Sequence, residues 1–132
     1  METNEPKVVL ELYNKLCKSK LHIFPEKGKV NLTNKHGVYI IYSSSDEILH
    51  VGMTPYGKDG LNQRLYNHIT KAGVFYREYL KPRNMSLRGT CKFRYIEIQD
   101  ARIRALVEAL TAGKLCPAHF GTGVKKIVVL KN

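Results

Sequence analysis

Cysteine is scarce: Cys17, Cys91 and Cys116 are the only three in 132 residues, far apart and without a CxxC pair. That spacing supports neither a zinc site nor a disulfide framework, which leaves buried or free thiols. Long apolar runs are missing too, since none approaches the roughly 20 residues that a membrane-spanning helix needs. The segment Met1–Lys7 is polar and partly acidic and carries no signal-peptide pattern. The expectation is a cytoplasmic protein, or a nuclear one in a eukaryote, with no membrane partner. Acidic residues are few as well: 11 Asp and Glu stand against 22 Lys and Arg, giving a net charge of +11.

So basic a chain calls for a polyanionic partner, and nucleic acid is the commonest. Between Gly60 and Arg94 the chain carries eight cations and a single acid, Glu78. Such a stretch can neutralise several phosphates, which makes binding salt-sensitive. The alternative, a solvated face kept for solubility, explains isolated lysines better than a cluster interleaved with Phe75, Tyr76, Tyr79 and Phe93.

Length and 43% hydrophobic content fit one globular domain over 1–132 with a real core. Pro6 opens a first helix whose Val9, Leu12, Tyr13 and Leu16 recur at helical spacing, and Phe24 to Lys35 reads as loop. Gly37–Ser44 and Ile48–Met53 read as a hairpin joined by Ser44-Ser45-Asp46-Glu47. After a loop with Pro55, Gly57 and Gly60, the stripe Leu61, Leu65, Ile69, Ala72 marks a helix that Gly73 breaks. Lys92 to Ile98 alternates as a third strand. Asp100 caps a last helix with Ile103, Leu106, Val107 and Leu110 on its apolar face, closed by Gly113. Ile127 to Leu130 completes the chain as a short strand. The expected fold is α/β in the α+β sense: a small, mostly antiparallel three-stranded sheet flanked by helices. Its parts are an N-terminal helix and loop (1–34), a core (35–120) and the terminal strand (121–132).

Several side chains on this scaffold have the chemistry to cut a phosphodiester. Arg64 and His68 lie one helical turn apart and share a face beside the Leu61, Leu65, Ile69 stripe. Tyr39 and His50 sit on the two hairpin strands. Glu108 flanks the apolar face of its helix and is the only carboxylate after Asp100. Taken singly, each has a plainer reading: an ion pair with Arg104 at i−4 for Glu108, a strand tyrosine for Tyr39, structural histidines for His50 and His68. Together they supply a base, cations for a phosphate and an oxygen ligand for a hard metal.

The ordered set resembles the GIY-YIG nuclease family. Gly37-Val38-Tyr39 stands where that family has its first motif, and His50-Val51-Gly52 where it has its second. Arg64, with His68 four positions on, resembles the helix arginine and histidine, and Glu108 the metal-binding glutamate. The resemblance covers roughly Lys35 to Phe120. Two positions depart from it: His50 replaces the tyrosine of the second motif, and Phe120, with His119 beside it, stands near the place of an asparagine.

The resemblance implies a metal-dependent endonuclease acting on double-stranded DNA and leaving 5′-phosphate and 3′-hydroxyl ends. Glu108 would hold Mg²⁺, with Mn²⁺ able to substitute. Tyr39, helped by His50, would take the proton of the attacking water. Arg64 would stabilise the phosphate, and His68 would bond the phosphate or orient Tyr39. The Pro55–Gly60 loop and the Val74–Thr90 segment read as inserts of the kind found in the family's small restriction enzymes. There Lys58, Lys81, Arg83, Asn84 and Arg88 are the candidate DNA contacts. Cutting both strands then implies a homodimer on DNA or successive nicking. The alternatives are a catalytically drifted basic DNA- or RNA-binding module of the same fold, and an RNA-binding protein.

Overall fold

Two β-rich runs, Gly37–Tyr42 and Ile48–Met53, pair as the expected hairpin and form the middle of the fold. In the computed structural model, which describes residues 4–55 and 57–120, the elements run α1 (Glu5–Cys17), β1 (His22–Ile23), β2 (Gly37–Tyr42), β3 (Ile48–Met53), α2 (Leu61–Ile69), α3 (Gly73–Phe75) continuing into a π-helical turn (Tyr76–Leu80), β4 (Lys92–Glu97) and α4 (Ala101–Leu115). The sheet is antiparallel throughout, with strand order β1-β4-β2-β3. It has four strands rather than three. The additional strand, β1, is two residues long and pairs only His22 with Phe93 and Ile23 with Lys92, too short to leave an alternating pattern.

Strand β2 is the core strand, because helices cover both of its faces. Val38 and Ile40 pack with Val9, Leu16 and Val107 of α1 and α4. Tyr39 and Ile41 pack on the other side with Leu61 and Leu65 of α2 and with Phe75, Leu80 and Leu87. The Val74–Thr90 segment is thus no appended insert. Its Phe75, Tyr79, Leu80 and Leu87 are buried in the core on this side of β2, while Arg77, Glu78 and the tip, Lys81 to Asn84, are exposed.

Both long helices start as their capping residues dictate. Asn4 accepts a hydrogen bond from Lys7 N ahead of α1, and Asp100 accepts one from Ile103 N ahead of α4. Gly113 does not close α4, which runs on to Leu115 and ends at Cys116 in the left-handed region (φ 48°). Nor does Gly73 break α2: that helix ends at Ile69, the chain turns left-handed at Lys71 (φ 66°), and Gly73 opens α3, with Ala72 exposed rather than on the buried stripe. The strand expected at 127–130 lies outside the described residues. No helix among the described residues is long and apolar enough to cross a membrane.

Gly37, Gly52 and Gly60 are fixed by crowding, the last against the Asn34 carbonyl. A Cβ on Gly37 would collide with the Ile96 carbonyl of β4, and one on Gly52 would collide with the phenol of Tyr39. Gly113 by contrast faces open space on an exposed helix. Gly52→Ala is therefore expected to lower stability by about 1–3 kcal/mol through overpacking. Gly113→Ala should raise it by about 0.5–1 kcal/mol through helix propensity. Urea unfolding of both variants checks this, and equal effects of the two would contradict it.

Candidate functional site

Tyr39 faces Gly52 across the hairpin, and because residue 52 has no side chain its ring lies over that strand, fully buried. Its hydroxyl oxygen meets His68 Nε2 at 2.6 Å. Helix α2 brings the histidine there. Its first turn is held by the preceding loop: Leu61 N donates to Lys35 O, Asn62 N to Thr33 O, and Asn62 Oδ1 accepts from Leu32 N and Thr33 N. Leu61, Leu65 and His68 then form the buried face, and Arg64, one turn before His68, lies beside the phenol.

Glu108 approaches from α4. Its plainer reading, a pair with Arg104, is not what the fold makes. Arg104 is buried and donates to the carbonyls of Thr54, Ile98 and Gln99. Those bonds satisfy a buried guanidinium and tie α4 to the ends of β3 and β4. Thr54 is tied further, since its hydroxyl bonds His36 Nδ1 and accepts from Gly37 N. One turn beyond Arg104, Glu108 is half-buried and close enough to Tyr39 and Arg64 to bear on the charge of the site. Among the described residues it forms no ion pair.

The electrostatics are those of a dry pocket. Burial pushes the Tyr39 hydroxyl up to about 12, against the pull of the Arg64 cation and with a small push from Glu108. Burial also drives His68 down to about 3, helped by Arg64 and His119, and His50 down to about 2, helped by His68, His119 and Arg64. Glu108 is raised by burial and lowered by Arg64. At neutral pH the phenol is protonated and both histidines are neutral, so Tyr39 donates to His68 Nε2. Two polar atoms here are buried without a partner among the described residues: Arg64 Nε and His68 Nδ1. Orphans of this kind are uncommon in folded proteins.

His50 is not where the sequence placed its action. The histidine on Tyr39 is His68. The ring of His50 stacks on Phe75, centroids 4.5 Å apart, and its Nδ1 meets His119 Nδ1 at 3.1 Å. His119 Nε2 in turn contacts Glu78 Oε1 at 2.8 Å. The segment after α4 lies along β3, with Ala118 N and His119 N donating to Ile48 O and Leu49 O, which turns His119 inward. Phe120 is half exposed, so the inward polar group of this segment is residue 119. Glu78 carried one sequence signal, as the lone acid in the basic stretch, but no periodicity linked it to residues 50 and 119.

The candidate DNA contacts divide. Lys58, Lys81, Arg83 and Asn84 are exposed. Arg83 lies over the Tyr79 ring at 3.8 Å and donates to Tyr79 O. Arg88 is a correction: half-buried, it donates to the carbonyls of Pro25 and Gly28 and staples the loop before β2 rather than facing outward. Lys58 lines an open hollow of about 440 Å³ beside α2, together with Lys29, Asn34, Asn62, Gln63 and Tyr66.

In comparisons with known proteins, no family model and no curated protein matches this chain.

Since His50 and His68 are neutral when folded and have an ordinary value of 6.5 when unfolded, the unfolded chain binds more protons below pH 6.5. Stability is therefore full above that pH and lost as pH falls towards about 3, by up to about 1.4 kcal/mol per pH unit for each histidine. The urea midpoint should drop between pH 7 and pH 5, above the range where most carboxylates titrate. His68→Gln should flatten the drop. A midpoint that stays constant over that interval would refute the buried neutral pair.

Proposed function

We propose that this chain is a metal-dependent endonuclease of the GIY-YIG type acting on double-stranded DNA. The observation that carries the reading is the 2.6 Å bond between Tyr39 and His68 in a buried site whose charge is set by Arg64 of α2 and Glu108 of α4. A strand tyrosine kept only for packing has no use for a buried histidine on its hydroxyl and a cation acting on it. The basic exposed surface supports a polyanionic substrate.

The donor set suits a lightly held hard cation. Among the described residues no three His, Cys, Asp or Glu side chains gather into a cage, whereas Glu108 offers one carboxylate without an ion pair. That fits Mg²⁺ held through one carboxylate, with water and phosphate oxygens completing its shell, and Mn²⁺ accepts the same donors. When bound, such an ion supplies Lewis-acid stabilisation of the charge that grows on the phosphate.

The remaining chemistry belongs to the side chains. Arg64, with its Nε unpartnered, receives the scissile phosphate and stabilises its developing charge. Neutralising Arg64 in this way removes one cause of the depression of His68. Tyr39 Oη then takes the proton of the attacking water while passing its own along the 2.6 Å bond to His68 Nε2. His68, rather than His50, is the terminal acceptor. The water oxygen bonds to phosphorus as the P–O3′ bond breaks, and the departing 3′ oxyanion takes a proton from solvent, which leaves a 5′-phosphate and a 3′-hydroxyl. Cutting both strands calls for two copies on the DNA or successive nicks.

Incubation with supercoiled plasmid and Mg²⁺ tests the reading. Cleavage should vanish with EDTA and with Glu108→Ala, and should fall by at least about 100-fold in Tyr39→Phe and Arg64→Ala. Plasmid left intact with Mg²⁺ and with Mn²⁺, yet still retarded on the gel, would replace the nuclease reading with that of a binding module. On the basic face, Lys58→Ala and Lys81→Ala should each reduce the slope of log affinity against log salt by about 1. Arg88→Ala should leave that slope unchanged and lower stability instead, as fluorescence anisotropy and urea unfolding would show.

A further inference from the structure

The chain Glu78 to His119 to His50 is unused by the chemistry above, although it occupies the buried wall of the same site. Glu78 comes from the π-helical turn, His119 from the segment laid along β3, and His50 from β3 itself. A carboxylate can only accept, so the 2.8 Å contact puts the hydrogen on His119 Nε2. In the imidazole form that carries its one hydrogen on Nε2, His119 Nδ1 holds a lone pair. The 3.1 Å contact to His50 Nδ1 therefore requires the hydrogen on His50 Nδ1 and leaves the lone pair on His50 Nε2. Stacking on Phe75 fixes the ring plane.

We propose that Glu78 and His119 are positioning residues that lock His50 in the Nδ1–H tautomer, so that its Nε2 serves as a fixed hydrogen-bond acceptor in the wall of the Tyr39–His68 site. On the nuclease reading, on which this role rests, that acceptor orients the attacking water next to the hydroxyl that receives its proton. His50 belongs to one ring cluster with both partners, its centroid 5.3 Å from His68 and 6.3 Å from Tyr39. Such ordering by an indirectly acting hydrogen-bond partner is how histidines are held in a working tautomer elsewhere. The placement also gives the lone acid of the basic stretch a purpose, since a cation at position 78 could not accept from His119.

Nitrogen-15 NMR of the imidazoles at pH 8, assigned with His50→Gln, reads the tautomer without any need for cleavage. Wild-type protein should show the one-bond proton on His50 Nδ1. Glu78 is 45% exposed, so Glu78→Ala is expected to fold, to turn His50 into a mixture of tautomers and to lower kcat for plasmid cleavage about 10- to 100-fold with little change in KM. Glu78→Gln keeps an acceptor oxygen and should restore both signals, which a role for the charge alone would not allow. An Nε2–H tautomer in the wild type, or a His50 spectrum indifferent to Glu78→Ala, would overturn the proposal. If the wild type cuts no DNA while the tautomer still responds to Glu78→Ala, the nuclease reading fails and the positioning of His50 stands.

Discussion

The ring of Tyr39 crosses β3 at a residue that has no side chain, and the rest of the site depends on that crossing. Only there can a residue of the central strand send its hydroxyl past the neighbouring strand to meet α2. Any Cβ at position 52 would meet the phenol. Full burial of the ring follows, and burial sets the electrostatics. In a dry pocket the charged forms of Tyr39, His50 and His68 are all disfavoured. The site therefore keeps its proton on the phenol and its lone pairs on the imidazoles. Charge enters from Arg64 and Glu108 at the margin, where a polyanion can alter it.

Precision comes from tethers some distance from the phenol. Arg104 would be a liability as a buried cation, yet three carbonyls receive it, and it fixes α4 against the strand ends so that Glu108 sits at the site. The Thr33 to Lys35 loop does the same for α2, because its carbonyls take up the first amides of the helix. Arg88 fastens the loop that precedes β2. In a chain of net charge +11, Arg83, Arg88, Arg94 and Arg104 thus all bond backbone carbonyls. A basic composition therefore overstates the number of cations at hand for a phosphate backbone.

Much of the fold was legible in the pattern of residues. The hairpin, both long helices and β4 follow from alternation, helical spacing, Pro6 and Asp100, all of which act within a few residues. The misses were matters of context. β1 is a strand only because β4 lies beside it. The helix was expected to stop at Gly113, but exposed glycine is tolerated there, and the chain turns at Cys116 once packing ends. The Val74–Thr90 segment read as an insert because it is longer than a minimal module of the resembled family requires, and only the folded chain shows Phe75, Leu80 and Leu87 facing inward.

For the site, the sequence by itself determined which side chains exist and which neighbours share a helical face, Arg64 with His68. Those are consequences of local periodicity and of residue chemistry. Tertiary structure alone decided the pairings across the chain. It placed His68 rather than His50 on Tyr39, since a hydrogen bond depends on where β2 meets α2. It released Glu108 from Arg104 by giving the guanidinium better acceptors. It also joined Glu78, His119 and His50, residues up to 69 positions apart, because burial leaves each imidazole nitrogen to find its partner through space and not along the sequence.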